Sequence, residues 1–127
     1  MGQQYLIDSN AVIDYLAGKF PERGMFFMNK IINEVPFISI ITKEVLEYKT
    51  TDEAYQLLSS FMEDSVIIGL SDEIVERTIE IRKMNKIKIP DAIIAATALT
   101  RNLKLISRNK KDFDKIDMLE IVNPYEI

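Results

Sequence analysis

The stretch NKIKIPDAIIAATALTRN, residues 85–102, carries the reading of the fold. From Ala92 to Leu99 almost every side chain is apolar. A helix that is apolar all round is a buried helix. Pro90 suits its first turn, where a missing N–H costs nothing. The β-branched and leucine-rich LKLIS (103–107) follows at once and reads as a strand. One acid, Asp91, stands at the mouth of this core helix. An unpaired ionised carboxylate in such space costs several kcal/mol, so its presence needs a reason.

Outward from this unit, short apolar runs alternate with helical patterns. YLI (5–7) reads as a strand ending at Asp8, and NAVIDYLAG as a helix with Asn10 as a possible N-cap and Gly18 as its stop. MFFMNKII (25–32) reads as a helix, PFISI (36–40) as a strand, and TKEVLEY as the opening of another helix. TDEAYQLLSSFME (51–63) is helical with an N-cap at Thr51, and SVIIGL (65–70) is a strand. SDEIVERTIEIRKMN (71–85) is an amphipathic helix capped by Ser71, with Ile74, Val75, Thr78 and Ile81 on its apolar face. MLEIV (118–122) is the last strand. Strands alternating with helices predict an α/β fold: three α/β/α layers around a central parallel sheet of four to five strands. At 127 residues, without repeat or linker, one domain over 1–127 is expected.

Composition narrows the chemistry. The chain contains neither cysteine nor histidine. That removes disulfides, thiolate and imidazole metal sites, cysteine nucleophiles and Ser-His-Asp triads. The absence of cysteine fits a reducing compartment, and a cytoplasmic location is expected. No apolar segment reaches the roughly 18 residues of a membrane span, and the start lacks the pattern of a secretory signal. Net charge is −4, yet Arg82–Lys115 holds ten Lys/Arg against three acids, a balance of +7, leaving −11 elsewhere. Such a segment is either a solvated face or a phosphate-attracting field.

In a parallel α/β sheet the carboxyl ends of the strands share one rim, where ligands bind. Four acids are expected there: Asp8, Glu44, Asp91 and Asp112. Singly, Asp8 reads as a helix cap, Glu44 as a first-turn acid and Asp112 as a loop or helix-start acid. Together they would repel and take up protons unless a cation sat among them. An oxygen-only set suits Mg²⁺ or Mn²⁺. Asp52, Glu53, Asp72 and Glu73 read as first-turn acids, while Glu47 and Asp14 are expected to face water.

These segments resemble the PIN-domain family, and within it the VapC-type toxins of toxin–antitoxin pairs. YLIDSNAVIDYL resembles the family's strand–Asp–[Ser/Thr]–Asn–helix opening, and ISIITKEVLE its Ser-x-x-Thr-x-x-Glu-like segment, with Glu44 as the acid. IPDAIIAATAL is similar to its Asp-x-x-Ile-Ala-Ala-x-Ala helix, and LKLISRNKKDF to its Leu-x-[Thr/Ser]-x-Asn-x-x-Asp-Phe segment. The four occur in order over 8–113.

The resemblance implies an endoribonuclease that cleaves RNA using Mg²⁺ or Mn²⁺. Asp8, Glu44, Asp91 and Asp112 would be its catalytic and metal-holding acids, supported by Asn10, Ser107 and Asn109. The fourth ligand stays open between Asn109 and Asp112. The resemblance also implies a homodimer and a cognate antitoxin. Lys86, Lys88, Arg108, Lys110 and Lys111 could guide the RNA backbone. Val12, Leu16, Phe26, Phe27 and Ile31 are either core or a groove for an antitoxin helix. The alternatives are a non-catalytic PIN-like protein- or RNA-binding module, and a phospho-receiver or acid phosphatase. A receiver wants an Asp ending the third strand, and only Asp72, at a helix start, is near.

Overall fold

The computed structural model describes residues 2–127. Its elements run β1 (Tyr5–Ile7), α1 (Ser9–Leu16), α2 (Glu22–Glu34), β2 (Phe37–Ser39), α3 (Ile40–Lys49), α4 (Tyr55–Glu63) and β3 (Val66–Ile68). Then come α5 (Asp72–Met84), α6 (Ile89–Thr100), β4 (Lys104–Ile106), α7 (Lys110–Phe113), β5 (Ile121–Val122) and a 3-10 turn, Pro124–Glu126. The strands form one sheet in the order β3-β2-β1-β4-β5, and every pairing is parallel. This is the layered α/β arrangement that strand–helix alternation predicts.

Period-two alternation sends neighbouring strand residues into opposite layers. Leu6 and Leu105 pair in register and face one core, with Ile74, Ile81, Phe113 and the alanines of α6. Ile7 and Ile106 pair beside them and face the other, with Val12, Met28, Leu58 and Phe61. Each such fully buried aliphatic side chain stabilises the fold by roughly 1.5–3 kcal/mol.

In α6, Ala92 and Ile94 through Ala98 are all buried. Its small side chains let α5 lie close, with Ile74, Thr78 and Ile81 inward. The buried threonine of each of these two helices stays satisfied, Thr78 donating to Ile74 O at 2.7 Å and Thr97 to Ile93 O at 2.7 Å. Val75, expected on that inner face, is exposed.

Some boundaries differ from the sequence reading. The N-cap of α1 is Asp8 rather than Asn10. The helix expected from Thr51 begins at Tyr55, because Thr51 Oγ1 accepts from Ala54 N and closes a separate turn. The final strand shortens to Ile121–Val122, and Asp112 stands in a short helix, α7, the helix-start alternative of its two readings.

The carboxyl-terminal turn is clamped onto α2. A methyl group at Gly24 would collide with the carbonyl oxygen of Pro124, while the rings of Phe20 and Tyr125 pack at 4.7 Å. Gly24→Ala therefore gains about 1 kcal/mol of helix propensity but forces two backbones apart, at about 1–3 kcal/mol. A net loss of stability in denaturant melts is expected, and a stabilised variant would show that the contact is slack.

Candidate active site

Sheet order reverses at β1. The chain adds β2 and β3 on one side, then β4 and β5 on the other. In parallel sheets the crevice beyond such a switch point is the usual ligand site. Asp8 follows β1 and Ser107 follows β4, so parallel pairing of the two strands brings them together. Ser107 Oγ donates to Asp8 Oδ2 at 2.8 Å. Asn10 Nδ2 donates to the same oxygen at 3.1 Å, and Ser9 N donates to Oδ1 at 2.9 Å. Asp8 is thus both a helix cap and a rigidly held carboxylate, only 4% exposed.

The supporting groups are themselves held. Ser107 Oγ accepts from Asn109 N at 3.1 Å, and Asn10 Oδ1 accepts from Arg108 N at 3.3 Å. The side chain of Asn109 makes no capping bond to α7. Asn10 and Ser107 therefore act on Asp8 through their side chains, while Asn109 contributes its backbone.

Electrostatics links three aspartates. Burial pushes the Asp8 carboxyl above its ordinary value and Asp112 adds to this, against the bonds from Ser107, Ser9 and Asn10. Burial also raises Asp91, followed by the charges of Asp8 and Asp112, with Lys88 opposing. Asp91, half-buried at the head of α6, lines one cavity with Asp112.

Glu44 is not brought into this set. It is exposed, and it is not among the charges acting on Asp8 or Asp91. The capping hydroxyl of Ser39 starts α3 at Ile40, so Glu44 falls in the second turn rather than the first. Thr42 and Leu46 are the buried face of α3. A residue two positions from each lies about 200° round the helix, which turns Glu44 outward. Val45 occupies the flank that Thr42 shares at i+3.

Asp14, expected to face water, is 1% exposed. Arg108 Nη1 and Tyr125 OH both donate to its Oδ2 at 2.9 Å. This ties α1 to the segment after β4 and to the carboxyl-terminal turn. The only sequence signal was an acid inside the apolar run AVIDYL. Arg108 is thereby committed, and Lys110 pairs with Glu126 at 3.5 Å. Lys86, Lys88 and Lys111 instead line a cavity that also contains Asp91, Asp112 and Lys115, the last not singled out from sequence.

The apolar residues near the amino end divide. Val12 and Ile31 are core, and Phe26 is exposed. Leu16 lines an apolar groove of about 280 Å³ with Ile13, Leu46, Leu57 and Leu58. Its second wall is α3 and α4, not α2 as expected.

The donor set is oxygen-only, and its mutual repulsion is opposed at Asp91 by Lys88 alone. That chemistry fits a hard divalent cation. Among the described residues, no three acids converge closely enough to form a finished ligand cage. The three aspartates interact through space across the crevice.

Residues 5–119 match the family described as PIN domain, and the chain belongs to that family. Solved structures agree across nearly its whole length. A chain of a toxin–antitoxin complex from Klebsiella pneumoniae is 34% identical, with TM-score 0.77, covering 98% of this chain and 100% of that one. VapBC from Salmonella typhimurium, solved bound to DNA, matches at TM-score 0.82 and 21% identity over 97% of this chain and 99% of that one. VapBC2 from Rickettsia felis, bound to a fragment of its promoter, matches at TM-score 0.81 and 22% identity over 95% and 98%. The protein is similar in structure to the VapC toxins of such complexes. Comparison with curated proteins finds no match. Among the described residues no helix is long and apolar enough to cross a membrane.

Two outcomes test this geometry. Arg108→Ala leaves the buried Asp14 carboxylate with Tyr125 as its remaining side-chain partner, at about 1–3 kcal/mol, whereas Tyr125→Phe leaves the ion pair and should destabilise less. Equal losses in urea melts would break the assigned hierarchy. The second concerns pH. The Asp91 carboxyl is raised above 3.8 when folded, so the stability it contributes is complete below that pH and is lost as pH rises through the folded value. Asp91→Asn should therefore raise the melting temperature of metal-free protein at pH 7, with the advantage narrowing towards pH 4. A variant less stable than wild type at pH 7 would mean that Asp91 is an ordinary capping acid.

Proposed function

We propose that this protein is a metal-dependent endoribonuclease of the VapC toxin type, held inactive by a cognate antitoxin. The observation that carries this reading is the electrostatic coupling of Asp8, Asp91 and Asp112 at the switch point of the sheet, beside a lysine-lined cavity. Asp8, Asp91 and Asp112 would hold the ion. Asp112 is favoured over Asn109 because it lines one cavity with Asp91, whereas Asn109 does not. When bound, Mg²⁺ or Mn²⁺ supplies neutralisation of phosphoryl charge and a more acidic water.

The chain's own residues do the rest. Ser107, Asn10 and the Ser9 amide fix both Asp8 oxygens, so this carboxylate needs no reorganisation on binding. Asp91 and Asp112 concentrate negative charge near Asp8, which makes that point receptive to a cation. Neighbouring lysines draw in the phosphate backbone that such a site would otherwise repel. The kinship with a toxin–antitoxin complex chain supports the antitoxin partner, and the Leu16–Leu46–Leu58 groove offers an apolar bed for one of its helices. A homodimer and a cytoplasmic setting belong to the same reading.

Cleavage of single-stranded RNA with Mn²⁺ tests it. Asp8→Asn and Asp91→Asn should each lose about 100-fold or more, and Glu44→Gln far less. The outward turn of Glu44 is the observation that favours a second reading, a non-catalytic PIN-like module. Folded wild-type protein that binds Mn²⁺ and RNA yet leaves the RNA intact would decide for that reading.

A further inference from the structure

Between the α5–α6 connection and α7 lies a cavity of about 470 Å³, with Asp91 and Asp112 on its wall. Four lysines ring it, Lys86, Lys88, Lys111 and Lys115. They come as two pairs, one from the α5–α6 connection and one from α7 and the residues after it. Asn85 and Lys88 have extended backbone, and in an extended segment residues two apart project to one side about 6.6 Å apart. Lys86 and Lys88 are such a pair. Lys111 lies within α7 and Lys115 directly follows its helical C-cap Asp114, and this four-residue spacing places them near one another on a single face. Among the described residues none of the four is in an ion pair. Arg108 and Lys110, by contrast, are engaged by Asp14 and Glu126.

The same cavity has an apolar side. Met84 is 83% exposed at the end of α5, with Ile87 and Ile116 beside it. Free ammonium groups next to an exposed thioether and aliphatic surface form a two-part receptor, for an anionic backbone and a flat apolar face. A nucleotide presents both.

We infer that this cleft is the substrate seat, in which phosphates of single-stranded RNA lie on the Lys86/Lys88 and Lys111/Lys115 pairs and one base rests on Met84 and Ile87. The strand then reaches the acids from the α5–α6 side, and the Arg108–Lys110 side contributes no phosphate contact. The inference rests on the proposed nuclease reading for what happens at the acids, but not for binding.

The test uses a fluorescent mixed-sequence 12-nucleotide RNA in EDTA, with affinity followed against salt. Each phosphate contact to a single strand contributes about 0.7 to the salt slope. Lys86→Gln/Lys115→Gln should flatten the slope by about 1.4, equivalent to roughly 25-fold weaker binding at 0.1 M relative to 1 M salt. Lys110→Gln, and Lys19→Gln/Lys30→Gln in the opposite layer, should change the slope by less than half that amount. Met84→Ser should weaken affinity without altering the slope. A full slope retained in Lys86→Gln/Lys115→Gln, in protein with the wild-type melting temperature, overturns the inference. So does absence of RNA binding by wild type, or a larger change from Lys110→Gln. Wild-type cleavage with Mn²⁺ is scored separately: cleavage with an unmoved slope removes the cleft and keeps the nuclease, and a lysine-dependent slope without cleavage does the reverse.

Discussion

A hydrogen bond of 2.8 Å from Ser107 Oγ to Asp8 Oδ2 joins residues 99 positions apart. It spans the crevice between β1 and β4, where the sheet order reverses. Both groups are buried, so each needs the other. Without Ser107 the Asp8 carboxylate would lose a partner in desolvated surroundings, and without Asp8 the hydroxyl would lose its acceptor. The pairing of Ile7 with Ile106 sets this contact, because each polar residue directly follows its strand. The hydrophobic register of two central strands thus places the first acid of the site.

The second acid depends on packing of another kind. Asp91 stands at the head of a helix whose body is almost wholly buried, so it has little freedom to turn away. The third, Asp112, rides on the short α7, which is anchored in the core by Phe113. The segment leading to α7 is also secured from below. Asp14 holds Arg108, Tyr125 holds Asp14, and the turn carrying Tyr125 is seated on Gly24 and Phe20. An ion pair with one buried and one half-exposed partner adds little net stability compared with apolar packing. Its consequence here is geometric: it commits one end of the segment whose other end bears Asp112.

Charge is organised on the same scale. A chain with net charge −4 concentrates +7 in about a quarter of its length, and the fold sorts those cations further. Arg108 and Lys110 are spent on internal and surface pairs, while Lys86, Lys88, Lys111 and Lys115 converge on the cavity beside the acids. Proximity in sequence to Asp112 therefore did not indicate which cations face its crevice.

Much of the architecture is legible from local pattern alone. Apolar runs of three to five residues separated by amphipathic helices specify alternating strands and helices, and an all-apolar helix can only be interior. Asp8 and Asp91 could be located because each lies at the end of such an element, where its position follows from one periodicity. The fate of Asp14 could not be read so, since its partners lie 94 and 111 residues away and only the folded chain brings them near. Glu44 shows the other limit. Its distance from strand β2 along the chain suggests the rim, but its direction follows from which face of α3 is buried, and burial of Thr42 and Leu46 leaves Glu44 on the exposed face. Sequence by itself determined the elements, their layering and the two acids at their ends, because these depend on local hydrophobic period. Tertiary structure alone decided which polar side chains share a site, because helix rotation and long-range pairing depend on contacts that no local pattern contains.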